Sequence, residues 1–370
     1  MLIQIQHLDL VQDLQRESKQ LQRRFTQSFI NNRYLIFLIP IILLIFLFIL
    51  GVSIGSTSIP FSSIISSFSD ALFKTDYVPA DIQTIVMNIR VPRVMLAGLV
   101  GASLSLAGVA FQGILKNPLA DPFTLGVSSG ASVGAVVVLF FQISLPFVTY
   151  FTLPVVSILF GFGTLILLLL FVRKLDPSLN VETIILGGII ISSFCSALLS
   201  LFITFSNNEL RTVIGWLMGN IGGRGIQYSL SLLPFLIISF LILFSQNRQL
   251  DAMTFGSTNA KHIGIDVKKS TYLILLTGSI LSGAAVAVSG TIGFVGLVVP
   301  HFTRTLVGPL HKKLLPLSMI NGAIFLIGSD ILSRVVLAPR ELPIGVITSL
   351  IGAPIFALIL LSLKRNRGKV

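Results

Sequence analysis

The stretch LIFLIPIILLIFLFILGVSI, residues 35–54, carries no charged side chain and is long enough to cross a membrane as a helix. An α-helix of about 20 apolar residues spans the roughly 30 Å of bilayer hydrocarbon. Uncharged runs of similar or greater length recur along the chain, at residues 94–115, 123–151, 183–205 and 342–363. We therefore interpret the sequence as that of a membrane protein with several spans.

The composition agrees with this interpretation. Of the 370 residues, 54% are hydrophobic and only 11% are charged, whereas a soluble domain is about 25% charged. Backbone groups inside lipid must be paired within helices or within a closed barrel. Barrel strands would alternate in polarity over about 10 residues, but these apolar runs are continuous. The predicted fold class is an all-α membrane protein, with about ten transmembrane helices in a compact bundle.

The predicted spans form one membrane domain, residues 34–364. It follows a polar, amphipathic N-terminal segment, residues 1–33, and precedes a basic tail, residues 365–370. The boundary between two spans is least well defined in the long apolar run before Arg304, where Gly290 and Gly293 predict a break. The ten spans are residues 34–55, 93–115, 123–143, 151–172, 182–205, 229–245, 271–289, 292–308, 314–334 and 342–363.

The distribution of Lys and Arg predicts the orientation, because cytoplasmic loops of membrane proteins are enriched in both. With the N-terminus in the cytoplasm, nineteen of the 26 basic residues fall inside and seven outside. We therefore predict that both termini are cytoplasmic. Loops facing anionic lipid then explain the net charge of +12 without a role in nucleic-acid binding. The seven basic residues predicted outside are Lys74, Arg90, Arg93, Arg211, Arg224, Arg334 and Arg340.

Signatures of catalysis or of an internal energy source are missing from the sequence. It contains no Gly-rich P-loop and no His-Glu-x-x-His motif. Cys195, the only cysteine, excludes an internal disulfide and a cysteine-based zinc site. Asp330 approaches membrane depth, but it precedes Arg334 by four residues, which is typical of an ion pair on a helix. We predict no catalytic residue, no bound metal and no cofactor, and we expect another subunit to supply the energy.

Small residues are spaced regularly in the third predicted span. Gly126, Gly130 and Gly134 recur every four residues, with Ser129 and Ser132 between them. Such stripes let helix backbones approach closely in lipid. Tight packing is the main interpretation, and a pore-lining role for the serines is the alternative.

Six short stretches narrow the class of protein. They are RVPR at residues 90–93, NPLADP at 117–122, FGSTNAKHIG at 255–264, SGTIGFVGLVVPHFTR at 289–304, SDILSR at 329–334 and ELPIGVITSLIGAP at 341–354. Together they resemble the permease family of ABC importers for iron–siderophores, haem and vitamin B12, which are type II importers. The resemblance covers about residues 34–364.

The resemblance implies a ten-helix permease subunit of the bacterial cytoplasmic membrane. It implies pairing with a second permease subunit, identical or related, so that substrate crosses at their interface. Two cytoplasmic ABC ATPase subunits would hydrolyse ATP, so the chain itself would not be an enzyme, and an extracytoplasmic substrate-binding protein would dock outside. Iron(III)–siderophore is the predicted substrate because it is the largest class, and vitamin B12 and haem remain alternatives.

Three sets of residues match functional elements of that family. Arginines would meet acidic groups of the binding protein, because the planar guanidinium pairs bidentately with carboxylates. The alternatives are snorkelling to lipid headgroups or a helix-end salt bridge. A short helix in the 247–269 loop would couple to the ATPase, and residues at two inner turns would form a cytoplasmic gate, although Asn117-Pro118 is equally typical of simple helix punctuation. The docking set is Arg90, Arg93 and Arg334; the coupling set is Ala260, Lys261, His262, Ile263 and Gly264; the gate set is Asn117, Leu119, Asn180 and Val181.

Three other classes of protein are alternatives to this prediction. An ion-coupled secondary transporter would take up substrate without an ATPase and would depend on the proton gradient. A lipid-modifying membrane enzyme would need carboxylates or histidines clustered at one membrane face, and the sequence does not predict such a cluster. A structural scaffold would not need spans so rich in Gly and Ser.

Overall fold

The computed structural model describes residues 35–55, 59–73, 75, 77–145, 151–177, 180–206 and 210–367. The predicted N-terminal segment, residues 1–33, lies outside the described residues. Every regular element within those ranges is helical. The helices are α1 (Leu35–Ser53), α2 (Phe61–Phe73), α3 (Ala80–Ile114), α4 (Val127–Phe140), α5 (Thr152–Leu175), α6 (Val181–Phe205), α7 (Leu210–Leu217), α8 (Ile226–Ser245), α9 (Asn247–Thr254), α10 (Ser257–His262), α11 (Val267–Ser289), α12 (Val295–Val307), α13 (His311–Val335) and α14 (Ile344–Arg367).

The predicted all-α bundle is confirmed. Seven of the described helices are long and apolar enough to cross a membrane, and α4, α12 and the apolar part of α14 are shorter apolar helices. Each of these ten overlaps one predicted span. The break predicted near Gly290 and Gly293 is also present, since α11 ends at Ser289 and α12 begins at Val295.

Two of the short helices cannot cross the hydrocarbon by themselves. At about 1.5 Å per residue, the 14 residues of α4 and the 13 of α12 extend for only about 20 Å each. Each follows a residue in the left-handed region, Gly126 (φ 78°) before α4 and Phe294 (φ 68°) before α12. Non-helical backbone at membrane depth is tolerated where protein or water covers it. These two breaks therefore place irregular backbone inside the bundle, where functional sites of membrane proteins are often found.

Helix α3 forms the centre of the bundle. Nearly every residue between Val91 and Ile114 is buried, and glycines set its two closest crossings. A Cβ built on Gly101 would lie 2.2 Å from the backbone oxygen of Gly322 on α13, and one on Gly108 would lie 1.9 Å from that of Gly296 on α12. Real Cβ atoms are not found so close to a backbone oxygen. These α3 crossings therefore need glycine.

The glycine stripe of α4 also serves close packing. A Cβ on Gly130 would overlap Thr164 of α5, and one on Gly134 would lie 2.7 Å from Phe160. Ser132 is buried and donates a hydrogen bond to the Ser128 carbonyl over 2.8 Å. The packing interpretation is therefore confirmed, and the pore-lining alternative is wrong for Ser132, which faces the bundle interior.

The described elements place the predicted functional sets at opposite ends of the bundle. Arg90, Arg93 and Arg334 lie together, where α1 and α13 end. The 247–269 loop lies at the other end, beside the start of α13 and the end of α3. We call the end with the three arginines the outer face and the end with the 247–269 loop the inner face, following the predicted orientation.

Candidate functional site

A buried ion-pair network occupies the outer face. Arg93 Nε lies 2.9 Å from Asp330 Oδ1, and Arg93 Nη1 lies 2.9 Å from Glu341 Oε2. Arg334 Nη2 lies 2.9 Å from Asp330 Oδ2, across one turn of α13. The Asp330 side chain is fully buried, whereas that of Glu341 is 47% exposed. The ion pair expected between Asp330 and Arg334 is confirmed, and Arg93 joins it from α3.

Two of the arginines also cap helix α1. Arg90 Nη1 donates to the carbonyls of Val52 (3.0 Å) and Ser53 (2.7 Å), and Arg334 Nη1 donates to those of Gly51 (2.9 Å) and Ile54 (2.6 Å). The last carbonyls of a helix have no partner within it, and its C-terminal end is partly negative. The outer face thus ties α1, α3 and α13 together through guanidinium groups.

All three predicted docking arginines are buried, with 4% of Arg90, 9% of Arg93 and 6% of Arg334 exposed. Their docking role stays a prediction. Their contacts nevertheless alter what a charge reversal would do, because a carboxylate in place of Arg93 would face the carboxylates of Asp330 and Glu341. Such a change would disturb the fold as well as any docking.

The coupling set lies on an exposed loop at the inner face. Within it, Ala260 is fully buried, whereas Ile263 is 69% exposed. Lys261, His262 and Gly264 are also exposed. Phe255, which sequence reasoning missed, is 78% exposed in the turn between α9 and α10. The signal available in the sequence was an aromatic residue just before Gly256 in a loop outside the spans.

The gate set lies at two turns of the inner face. A cavity of about 90 Å³ there is lined by Asn180 and Val181 together with Lys116. The Asn117 side chain accepts a hydrogen bond of 2.9 Å from the backbone of Leu119, which is 39% exposed. This Asx turn shows that Asn117 does act as helix punctuation. Its gating role stays a prediction.

A buried carboxylate follows the Asn117 turn. Asp121 Oδ1 accepts a hydrogen bond of 2.9 Å from the backbone of Thr124. Burial raises the pKa of Asp121 to about 6, and the hydrogen bonds from the backbone of Thr124 and Phe123 oppose this shift only in part. The side chain is therefore a charged group near neutral pH that carries a desolvation cost.

An open groove of about 460 Å³ adjoins the two irregular breaks. It lies between the segment before α4, the end of α7, the loop between α11 and α12, and α14. Its walls are neutral and mostly apolar, with two hydroxyl groups. The lining residues are Phe123, Leu217, Met218, Thr291, Gly293, Gly345, Val346, Ser349 and Leu350. Near this groove, Trp216 packs in a buried cluster with Ala131 and Val286.

Helix α6 carries a stripe of exposed Ser and Thr side chains. Ser193, Ser196, Ser200 and Thr204 are all exposed, and their spacing places them on one side of the helix. The adjacent side is apolar. Ser192, which precedes the first residue of the stripe, donates a 3.1 Å hydrogen bond to the carbonyl of a groove residue, Phe123. The Ser200 and Thr204 hydroxyls donate to the carbonyls of Ser196 and Ser200, and their oxygens can still accept a hydrogen bond from water or from a partner.

Comparison with known proteins accounts for this architecture. The model of the FecCD transport family matches residues 43–362. The chain belongs to the FecCD transport family. The match covers all but the two ends of the chain.

Relatives of the chain are permeases. It is 49% identical to the uncharacterized ABC transporter permease protein YvrB of Bacillus subtilis, covering 91% of this chain and 96% of that one. It is 34% identical to the hemin transport permease HmuU of Yersinia pestis (88% and 95% covered). It is 38% identical to the molybdate import permease MolB of Haemophilus influenzae (77% and 83% covered).

A solved structure shares the fold as well as the sequence. It is an ABC transporter of the metal-chelate type in an inward-facing conformation, and it matches 87% of this chain and 97% of its own. The TM-score is 0.75 at 34% identity. As a FecCD family member, the chain is an ABC importer permease, a multi-pass protein of the bacterial cytoplasmic membrane whose relatives transport rather than catalyse.

Proposed function

We propose that the chain is half of the translocation unit of an ATP-driven importer for iron(III)–siderophore complexes. A second permease subunit, identical or related, completes the unit, and two cytoplasmic ABC ATPases drive it. An extracytoplasmic binding protein delivers the substrate. The observation that carries the proposal is the hydroxyl stripe of α6, which begins next to the contact between Ser192 and the neutral groove, on a chain of an importer family.

The stripe and the groove suit a wide path between two subunits. Their side chains offer hydroxyl and apolar contacts but no charge, so a bulky solute can pass without being held tightly. Helix α14 borders the groove and leaves Leu350 and Leu358 66% exposed. A second subunit meeting this surface would enclose the groove.

Cysteine labelling tests this path. In a Cys195→Ala background, single cysteines replace Ser193 and Ser200, and the matched controls replace Phe194 and Leu201 on the adjacent apolar side. A membrane-impermeant, water-soluble thiol reagent should label the first pair at least about tenfold faster than the controls, because only the first pair faces the path. Equal labelling of both pairs would contradict the proposal.

The coupling role rests on the exposed residues 261–264 in the 247–269 loop. Lys261, His262, Ile263 and Gly264 would contact the ATPase directly, whereas buried Ala260 would hold α10 in place. Phe255 would join this surface. A short helix fixed to the bundle can transmit rigid-body motion, which a loose loop cannot.

The docking role of the arginines would be indirect. Because Arg93 and Arg334 are buried against Asp330, they would shape the outer surface that the binding protein meets. Direct contacts would then come from exposed charges at its edge, Arg340 and Glu341. The inner gate would comprise Asn117, Leu119, Asn180 and Val181, beside the cavity of about 90 Å³.

The choice of substrate rests on two supports. Iron–siderophore uptake is the largest class in the family that the motifs resemble, and the solved relative is of the metal-chelate type. Because two relatives are named for hemin and molybdate, haem and small oxyanions are the alternative substrates for a permease of this fold.

An uptake assay tests substrate and energy source together. The permease, its ATPase and its binding protein are placed in proteoliposomes with ATP inside, and radiolabelled ferric siderophore, haem, cobalamin or molybdate is supplied outside. We expect ATP-dependent uptake of the ferric siderophore. Uptake of another substrate would refute the substrate, and ATP-independent uptake abolished by a protonophore would favour a secondary transporter. Growth of a deletion strain on defined iron sources provides the cellular counterpart.

A further inference from the structure

A hydrogen-bonded joint links the 247–269 loop to the core helix α13. Asp251 of α9 accepts two hydrogen bonds at one carboxylate oxygen, Oδ1. One comes from the backbone N–H of His311 over 2.9 Å, and the other from His311 Nδ1 over 2.6 Å. Around this joint, Leu250 and Met253 of α9 are buried in the core.

The joint supplies a hydrogen-bond acceptor for the first backbone N–H group of α13 from outside that helix. His311 is its first residue, and the residue before it, Leu310, makes no side-chain capping bond. The N-terminal N–H groups of a helix lack partners within it, and this end is partly positive. A carboxylate 60 residues earlier in the chain supplies the cap.

The imidazole of His311 is clamped between two other helices. Its side chain is 2% exposed, and a Cβ on Gly113 of α3 would lie 2.8 Å from Nε2. Nε2 has no hydrogen-bond partner among the residues that the structure describes. With its proton on Nδ1, the neutral ring has Asp251 as its one polar anchor. Loss of Asp251 would leave two buried donors unpaired.

Helix α13 connects this joint to the outer face. Its 25 residues extend for about 37 Å, and Asp330 and Arg334 lie near its far end. Between the ends, the contact of Gly322 with Gly101 leaves no room for α13 to slide on α3. Pro316, in the second turn of α13, removes one backbone hydrogen bond of that helix. A displacement of α9 would therefore reach the first turn of α13 through Asp251 and His311, and beyond Pro316 it would be transmitted to the outer face through the close contact of α13 with α3.

We propose that Asp251 and His311 are positioning residues that couple the ATPase-facing loop to α13, and through it to the outer ion-pair network. This inference rests on the proposed function, because it assumes that an ATPase binds the 247–269 loop. It adds the pair of side chains through which movement of that loop reaches the bundle. A cap that only stabilises α13 would not affect coupling.

A second capping aspartate in the same loop provides the matched control. Asp266 accepts a hydrogen bond of 3.0 Å from the backbone of Lys269 and caps α11 locally. It has the same side chain and the same kind of bond, but it joins no second helix. Asp251→Ala and Asp266→Ala therefore separate the joint from capping alone, and Asp251→Asn keeps the acceptor oxygen without the charge.

The complete transporter in proteoliposomes is the first test. For Asp251→Ala we expect substrate uptake to fall at least about tenfold and stimulation of ATP hydrolysis by loaded binding protein to disappear, with basal hydrolysis within about twofold of wild type. Asp266→Ala should keep uptake within about twofold, and Asp251→Asn should recover part of it. Normal uptake in Asp251→Ala would overturn the inference, as would a parallel loss of basal hydrolysis and of complex assembly.

Hydrogen exchange of the permease alone is the second test, and it needs neither ATPase nor substrate. Asp251→Ala should raise exchange in α9 and in the first turn of α13, whereas Asp266→Ala should leave both unchanged. Unchanged exchange in Asp251→Ala would overturn the inference even if the proposed function stands. Failure of the wild type to take up any substrate would instead refute the proposed function, and the exchange result would still decide on the joint.

Discussion

The outer and inner faces use their charged groups in opposite ways. At the outer face, Asp330 is fully buried between Arg93 and Arg334, and the guanidinium group of Arg334 also caps α1. At the inner face, Lys261 and His262 are exposed beside Ile263. A buried network fixes the relative positions of helices, whereas exposed side chains remain available to a partner. The difference indicates that the outer ion-pair network holds its helices rigidly, whereas the inner face presents side chains that a partner can contact.

Removal of the central carboxylate should produce the largest effect. Asp330→Ala leaves the guanidinium groups of Arg93 and Arg334 buried without their counter-charge, and breaking a buried pair in this way costs about 3–5 kcal/mol. The thermal unfolding midpoint of the purified protein in detergent measures the loss. Glu341→Gln is the control, because its side chain is 47% exposed and an exposed pair contributes at most about 1 kcal/mol. An equal decrease of the unfolding midpoint in both variants would contradict a rigid ion-pair network centred on Asp330.

The buried carboxylate of the inner face should behave differently, because backbone amides are its partners. The pKa of Asp121 is about 6 in the folded protein against 3.8 for the free side chain. The folded state therefore retains the proton over a range in which the unfolded state has lost it. Stability should fall as the pH rises from 3.8 to about 6, by about 3 kcal/mol.

Unfolding midpoints between pH 4 and 7 check this sign. Asp121→Asn removes the titrating group and keeps an acceptor for the backbone of Thr124, so its pH profile should be flatter than that of the wild type. At neutral pH the variant should be the more stable of the two. A wild-type profile that rises between pH 4 and 6, and flattens in the variant, would contradict the assignment.

The helices could be predicted because length and apolarity are local properties of the chain. The same holds for the pair Asp330 and Arg334, whose separation of four residues is one helical turn. Arg93 and Asp330 are 237 residues apart in the sequence, and no local pattern in a single sequence predicts a contact between such distant residues. The sequence therefore singled out the three arginines of the docking set, but it did not predict that their side chains are buried.

The joint between Asp251 and His311 was missed for the same reason, since its residues are 60 apart and neither stands in a recognisable motif. The exposure of Phe255 was missed for a different reason. An aromatic residue is usually buried, and only the packing of α9 and α10 decides that this one projects outwards.

The close contact between α3 and α13, which connects the two faces, can be tested at its glycine crossing. Gly101→Ala would place a Cβ 2.2 Å from the backbone oxygen of Gly322, so one backbone must move. Such overpacking typically costs about 1–3 kcal/mol. Gly98→Ala, one turn away on the same helix, would meet a side-chain methyl of Ile327 at 3.4 Å and should be nearly neutral. Unfolding midpoints compare the two, and a neutral Gly101→Ala would show that the crossing is loose.

The smallest effect on stability, and the sharpest contrast with Asp330, is expected from the apolar side chains of the inner face. Phe255 and Ile263 are 78% and 69% exposed, so changing both to Ser removes almost no packing and should leave the unfolding midpoint unchanged. Binding of the ATPase subunit to the detergent-solubilised permease should weaken about tenfold, equivalent to about 1.4 kcal/mol. Leu241→Ser, at an apolar position on α8 that is 60% exposed, controls for hydrophobicity alone. Tight ATPase binding by the double variant would mean that the inner face binds through its charges, and the two faces would then differ in burial but not in chemistry.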